Sequence, residues 1–153
     1  DQLSALKWIQ FKRKEICKDS SLQNKYTAIK TYEDRERSFV SGSIPGAIYK
    51  VNLDNSHPLA FGYPNYYYSL KQGNTFYEYI KNRGWNVGTI QQTPETVGFI
   101  GAKIKNSFKD ATVFGVQDIG KGHVIFLTDD VLFRNFWENG KLMFDNAVLM
   151  VGQ

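Results

Sequence analysis

The stretch VFGVQDIGKGHVIFLTDD, residues 113–130, decides how the chain is read. Gly115 to Gly122 inside it nearly spells a phosphate-binding loop. Such a loop needs a strand, a glycine-rich turn and then a helix whose first amides face the anion. Here Gly122 stands where Ser or Thr would ligate magnesium, and His123-Val124-Ile125-Phe126-Leu127 continues as a strand. Asp118 to Gly122 therefore reads as a hairpin loop in which glycine supplies positive φ, between strands at 112–117 and 123–128.

Working outward, Ala47 to Leu53 alternates cleanly, with Tyr49, Val51 and Leu53 on one face and Lys50 and Asn52 on the other, which predicts a strand. Further strands are expected at Tyr66–Leu70 and Asn86–Ile90. Leu3, Leu6 and Ile9 with Ala5 and Trp8 predict a helix over 2–16. Residues 17–43 read as a polar connection with a short helix at 33–40. Thr93-Pro94-Glu95 resembles a helix start, and Val97, Ile100, Ile104 and Phe108 follow at helical spacing despite Gly98 and Gly101. A last helix over 139–151, apolar nearly all round, should be buried. Strands interspersed with helices imply an α/β layered domain over 41–153, preceded at 1–40 by a helix and a polar connecting segment.

Length and composition fit one globular domain: 153 residues, 42% hydrophobic, 15% aromatic and 22% charged. The net charge of +4 sits mainly in residues 1–37, where nine Lys/Arg face six Asp/Glu with alternating signs. That is a solvated segment rather than a stripe that tracks phosphates, so nucleic acid is not an expected partner. No apolar run is long enough to span a membrane. Cys17 is the only cysteine, which excludes an internal disulfide and a thiolate metal cage, and it reads as a small apolar residue at a helix end.

The polar residues offer little conventional chemistry. His57 and His123 are the only histidines, and neither has a partner at metal-ligand spacing. No cysteine or serine sits on a nucleophile elbow. Asp129 and Asp130, at a strand's C-terminal end with Arg134 beyond, form the most suggestive polar cluster. Neighbours in extended chain point apart, however, so the expected role is structural: Thr128, Asp129 or Asp130 caps a short helical turn through 131–137, and Arg134 pairs with a carboxylate. Phe61, Tyr63, Tyr66 and Tyr68 are a candidate aromatic binding surface, with Tyr67 directed to the opposite face.

Two stretches resemble a known family. They are IPGAIYKVNLDNSHPLAFGY, 44–63, and GKGHVIFLTDD, 120–130, running on through Phe133-Arg134-Asn135-Phe136-Trp137 to Lys141-Leu142 and Asn146-Ala147. Both look like the C-terminal region of Bacteroidetes-type zinc carboxypeptidase-like proteins, in which a metallocarboxypeptidase domain precedes a class I glutamine amidotransferase-like domain. The resemblance covers roughly residues 40–150. It implies a three-layer, flavodoxin-like domain, incomplete at its start, that is periplasmic or secreted and packs on the parent's catalytic domain or a second subunit. The family's zinc ligands and catalytic glutamate have no counterpart here, and neither has the amidotransferase nucleophile. The implied role is a non-catalytic accessory domain without a cofactor, with zinc held only in the parent's peptidase domain. Two other classes are in play: a carbohydrate- or peptide-binding module using 61–68, and a small hydrolase working through Asp129, Asp130 and His57.

Overall fold

The computed structural model describes residues 9–15 and 31–152. Its elements are helix α1 (Arg35–Ser41), strands β1 (Gly46–Leu53), β2 (Tyr66–Lys71), β3 (Gly84–Ile90), β4 (Thr96–Phe99), β5 (Ala111–Ile119) and β6 (Gly122–Leu127), and helix α2 (Glu138–Leu149). Short 3-10 turns occupy Pro58–Ala60 and Phe133–Asn135. The six strands form one sheet in the order β2-β1-β3-β5-β6, with β4 also on β1, and every pairing is antiparallel.

This overturns the three-layer, flavodoxin-like expectation. A parallel sheet needs a crossover connection of a dozen or more residues, usually a helix, between neighbouring strands. Among the described residues no α-helix lies between β1 and β6, so the helical crossovers that such a sheet uses are missing. The helix expected from Thr93 is the decisive loss. Thr96–Phe99 is instead a strand exposed along its whole length, and Ile104 and Phe108 are buried from a series of turns. Gly98 lies at φ +110, and a Cβ on Gly101 would stand 2.3 Å from the Ser41 carbonyl oxygen. The two glycines permit close backbone approach here, which a helix would not require.

β3 and β4 lie along the same edge of β1. Leu53 pairs with Gly88 and Asn52 with Thr89, whereas Tyr49 pairs with Thr96 and Gly46 with Phe99. The register therefore slips by four residues, and segment 91–95 leaves the sheet as a loop. The Lys50 amide still donates to the Glu95 carbonyl at 3.0 Å, fixing that loop to β1.

The alternation read in β1 is present: Tyr49, Val51 and Leu53 are buried and join the main core with Tyr67, Phe108, Phe114 and Met143. β5 is buried from Ala111 to Gln117, so both of its faces are covered. On its second face Ile9 and Phe11 meet Ile80 and Phe126, and the Phe11 ring stacks between Tyr77 (4.3 Å) and Phe126 (4.1 Å). Residues 9–15 are thus extended rather than helical. Lys14 and Glu78 amides bond across to the Phe76 and Lys12 carbonyls at 2.8 and 2.9 Å. The other residues of the expected N-terminal helix, and Cys17, lie outside the described residues.

α2 crosses the inner face of the sheet, but it is less buried than its composition implied. Gly140, Met143 and Asn146 are enclosed, whereas Leu142, Phe144, Val148 and Leu149 are exposed, the last two by more than 60%. With a single sheet on one side, one helical stripe suffices for packing and the other apolar residues face out. Among the described residues no helix is long and apolar enough to cross a membrane.

Candidate functional site

The two adjacent carboxylates part company at the end of β6. Asp129 turns into the core. Its Oδ1 accepts from Lys71 Nζ at 2.7 Å, and its Oδ2 accepts from Ser69 Oγ at 2.8 Å and from the Tyr49 hydroxyl. Lys71 and Ser69 are alternate inward residues of β2, and Tyr49 is the inward residue opposite Ser69 on β1. Burial and then the negative charge of Asp129 push the Tyr49 hydroxyl well above its ordinary pKa, so it remains a proton donor. Both oxygens of Asp129 are committed to groups that are themselves buried. The cluster ties three segments together and leaves no oxygen for a substrate.

Asp130 faces solvent, and its Oδ1 accepts the Leu132 amide at 3.1 Å, capping the turn that leads to Phe133. Arg134 does not pair with a carboxylate among the described residues. Its guanidinium lies 5.2 Å from the Phe133 ring centroid, on a residue at φ 49. Of the three caps that the sequence offers, Thr128, Asp129 and Asp130, it is Asp130 that accepts an amide of the turn, and among the described residues the expected pairing of Arg134 with a carboxylate is absent.

His57 is remote from this cluster in chemical terms. Its Nδ1 accepts the Leu59 amide at 3.1 Å, capping the Pro58–Ala60 turn, and its ring lies 6.4 Å from Trp85. The carboxylates whose charge reaches it are Asp54 and Asp118. Desolvation, the largest influence, lowers its pKa. An Nδ1 that accepts a backbone N–H bears no proton, so the neutral ring carries its proton on Nε2. That nitrogen is a donor and cannot ligate a metal without losing the proton.

One pair has no signal in residue spacing. Asp118 and His123 are cross-strand partners on the β5–β6 hairpin, and Asp118 Oδ1 lies 2.7 Å from His123 Nδ1. The two-residue turn Gly120-Lys121, with Gly120 at φ +61, sets that register. Both histidines, Asp118 and Trp85 line one cleft of about 190 Å³, closed by Met150 and Val151 beyond α2. Among the described residues no group of three or more His, Cys, Asp or Glu is arranged to hold a metal ion.

The aromatic candidates divide. Tyr63 donates to the Asn139 carbonyl and packs edge-on against Tyr67, and burial raises its pKa to about 12. Phe61 is exposed, with its carbonyl held by Asn146 Nδ2 at 2.7 Å. Tyr66 and Tyr68 stand together on the outer face of β2, each about 40% exposed, with ring centroids 5.7 Å apart. Beside them on β1 are Asn52, opposite Tyr66, and Lys50, opposite Tyr68.

Segments 57–63 and 138–149 are adjacent in space. Asn146 of α2 donates to the carbonyls of Leu59 (3.1 Å) and Phe61 (2.7 Å), and Leu142 approaches Gly62. Comparison with family models, with curated proteins and with solved structures finds no match to this chain.

Proposed function

We propose that the chain is a non-catalytic accessory domain of a zinc carboxypeptidase-like protein, acting outside the cytoplasm, and that it docks through the outer face of α2. The observation that carries the docking role is the exposure of Leu142, Phe144, Val148 and Leu149 on one helix. Helical spacing puts Leu142 and Leu149 on one flank of the outer face and Phe144 and Val148 on the other, and exposed apolar residues paired in this way are of the kind that partners cover. Sequence likeness, and not architecture, supplies the parent: 44–63 and 120–147 resemble that family although the flavodoxin-like fold does not accompany them. The commitment of Asp129 to Lys71, Ser69 and Tyr49 supports a scaffold over a hydrolase.

The test is to express this chain and the metallocarboxypeptidase domain encoded in the same gene separately, and to measure their association by analytical ultracentrifugation. A complex is expected, weakened about tenfold or more by Val148→Asp with Leu149→Asp, while circular dichroism stays unchanged. The gene lacking such a domain, self-association through α2 in place of a complex, or peptide hydrolysis by the isolated chain would each overturn the reading.

A further inference from the structure

We propose that the outer face of β1 and β2, together with loop 91–95, binds an uncharged, flat, β-linked oligosaccharide. This goes beyond the docking role of α2 and is independent of it, because α2 covers the opposite, Tyr67-bearing face of the sheet.

Three adjoining strips make the face. The first is the Tyr66–Tyr68 pair, whose ring planes are inclined at 68° to one another and which are both partly exposed. The second is Lys50 and Asn52 on β1. The third is the loop thrown out by the four-residue slip between β3 and β4, where Gln91, Thr93, Pro94 and Glu95 join Lys50 and Asn52 around a cleft of about 130 Å³. Neighbouring strands lie about 4.8 Å apart, so the strips together form a floor on the order of 10 Å wide.

The chemistry of these strips fits sugar rings. A pyranose presents C–H faces that pack on aromatic rings and a rim of hydroxyls that both donate and accept. Asn and Gln amides and the Thr hydroxyl also do both. Among the described residues no hydrogen bond engages the side chains of Asn52, Gln91 or Thr93. The one cation is neutralised: Lys50 Nζ lies 3.1 Å from Glu95 Oε1 and 5.5 Å from the Tyr66 ring. A balanced pair offers no net charge to a polyanion, which separates this face from a nucleic-acid groove. The cleft is also well below the several hundred cubic ångströms that enclose a small molecule. A ligand must therefore lie across the face, and an extended β-linked chain has that shape. The residues sit on paired strands and on a loop pinned to Lys50, so little ordering is required on binding.

Titration with cellohexaose and with chitohexaose, followed by calorimetry and by amide shifts, tests this. At least one sugar should bind saturably at millimolar concentration, shifting amides of 50–52, 66–68 and 91–95. Tyr66→Ala with Tyr68→Ala should weaken binding about tenfold or more, as loss of stacking does elsewhere, while Phe61→Ala leaves it unchanged. Asn52→Ala with Thr93→Ala gives a second reading should the tyrosine variant unfold. Binding of chitohexaose alone would support the proposal and assign the acetamido group a contact. No saturable binding of either sugar, or equal affinity in a folded variant and the parent chain, overturns it.

Discussion

At the scale of single residues, capping decides what the histidines can do. His57 closes the Pro58–Ala60 turn through Nδ1, so protonation there breaks the bond to the Leu59 amide. Its pKa in the folded chain lies below the ordinary 6.5, through burial first and His123 beside it, against the opposing charges of Asp54 and Asp118. The unfolded chain therefore takes up the proton more readily. Stability from this group is complete above pH 6.5 and is lost as pH falls from there towards the folded-state pKa. Asn at 57 can still accept the amide but does not titrate. Urea unfolding from pH 7.5 to 5 should show a fall in stability in the parent chain, and His57→Asn should lessen that fall. Parallel curves would remove His57 as the cause. The buried Lys71–Asp129 pair is a different case: such pairs contribute little net stability against apolar replacements, but leaving one partner alone is costly.

At the scale of elements, what was legible depended on parity more than on spacing. Tyr49, Val51 and Leu53 alternate in the sequence and are buried together, and the same parity separates Tyr67 from Tyr66 and Tyr68. The hairpin followed from Gly122, which stands where a phosphate loop needs Ser or Thr, and from the strand pattern that continues at 123–127. The apolar series at 97, 100, 104 and 108 misled, because helical spacing also arises when a strand runs into turns. Gly98 and Gly101 were the contrary signal. Loop 91–95 and the Asp118–His123 pair were not legible, since each depends on a pairing register that one strand alone does not fix. The role of Gly101 is testable. Its amide bonds to the Ser43 carbonyl at 3.1 Å, and the Lys103 amide to Ser41 at 3.0 Å, so an added methyl cannot move away freely. Gly101→Ala should cost about 1–3 kcal/mol by urea denaturation. Gly46→Ala, whose Cβ would meet nothing within 4 Å, should stay within about 0.5 kcal/mol. Equal effects at both sites would deny that Gly101 is there for close approach.

At the scale of the whole molecule, one sheet has to bury apolar residues on two faces with few covering elements. The inner face has α2, the turns over 101–108 and the large core around Phe108 and Phe114. Among the described residues the far face of β5 is covered by segment 9–15 and the chain around Tyr77, joined through the Arg13–Tyr77 and Tyr77–Thr112 bridges. Phe11 holds that second layer: it is 3% exposed and stacked on both sides. Truncating such a ring removes its burial and leaves a gap that two aromatic neighbours can close only in part. Phe11→Ala should therefore cost about 3–5 kcal/mol in global stability. The loss should also be uneven. The Glu78 amide, bonded to the Lys12 carbonyl, should exchange with solvent much faster, while amides of β1 paired with β2 keep most of their protection relative to the new global stability. Uniform acceleration across both layers would mean that the sheet and its N-terminal cover form one cooperative unit. Selective loss would mean that the inner core, with α2 and the tyrosine face, stands without it.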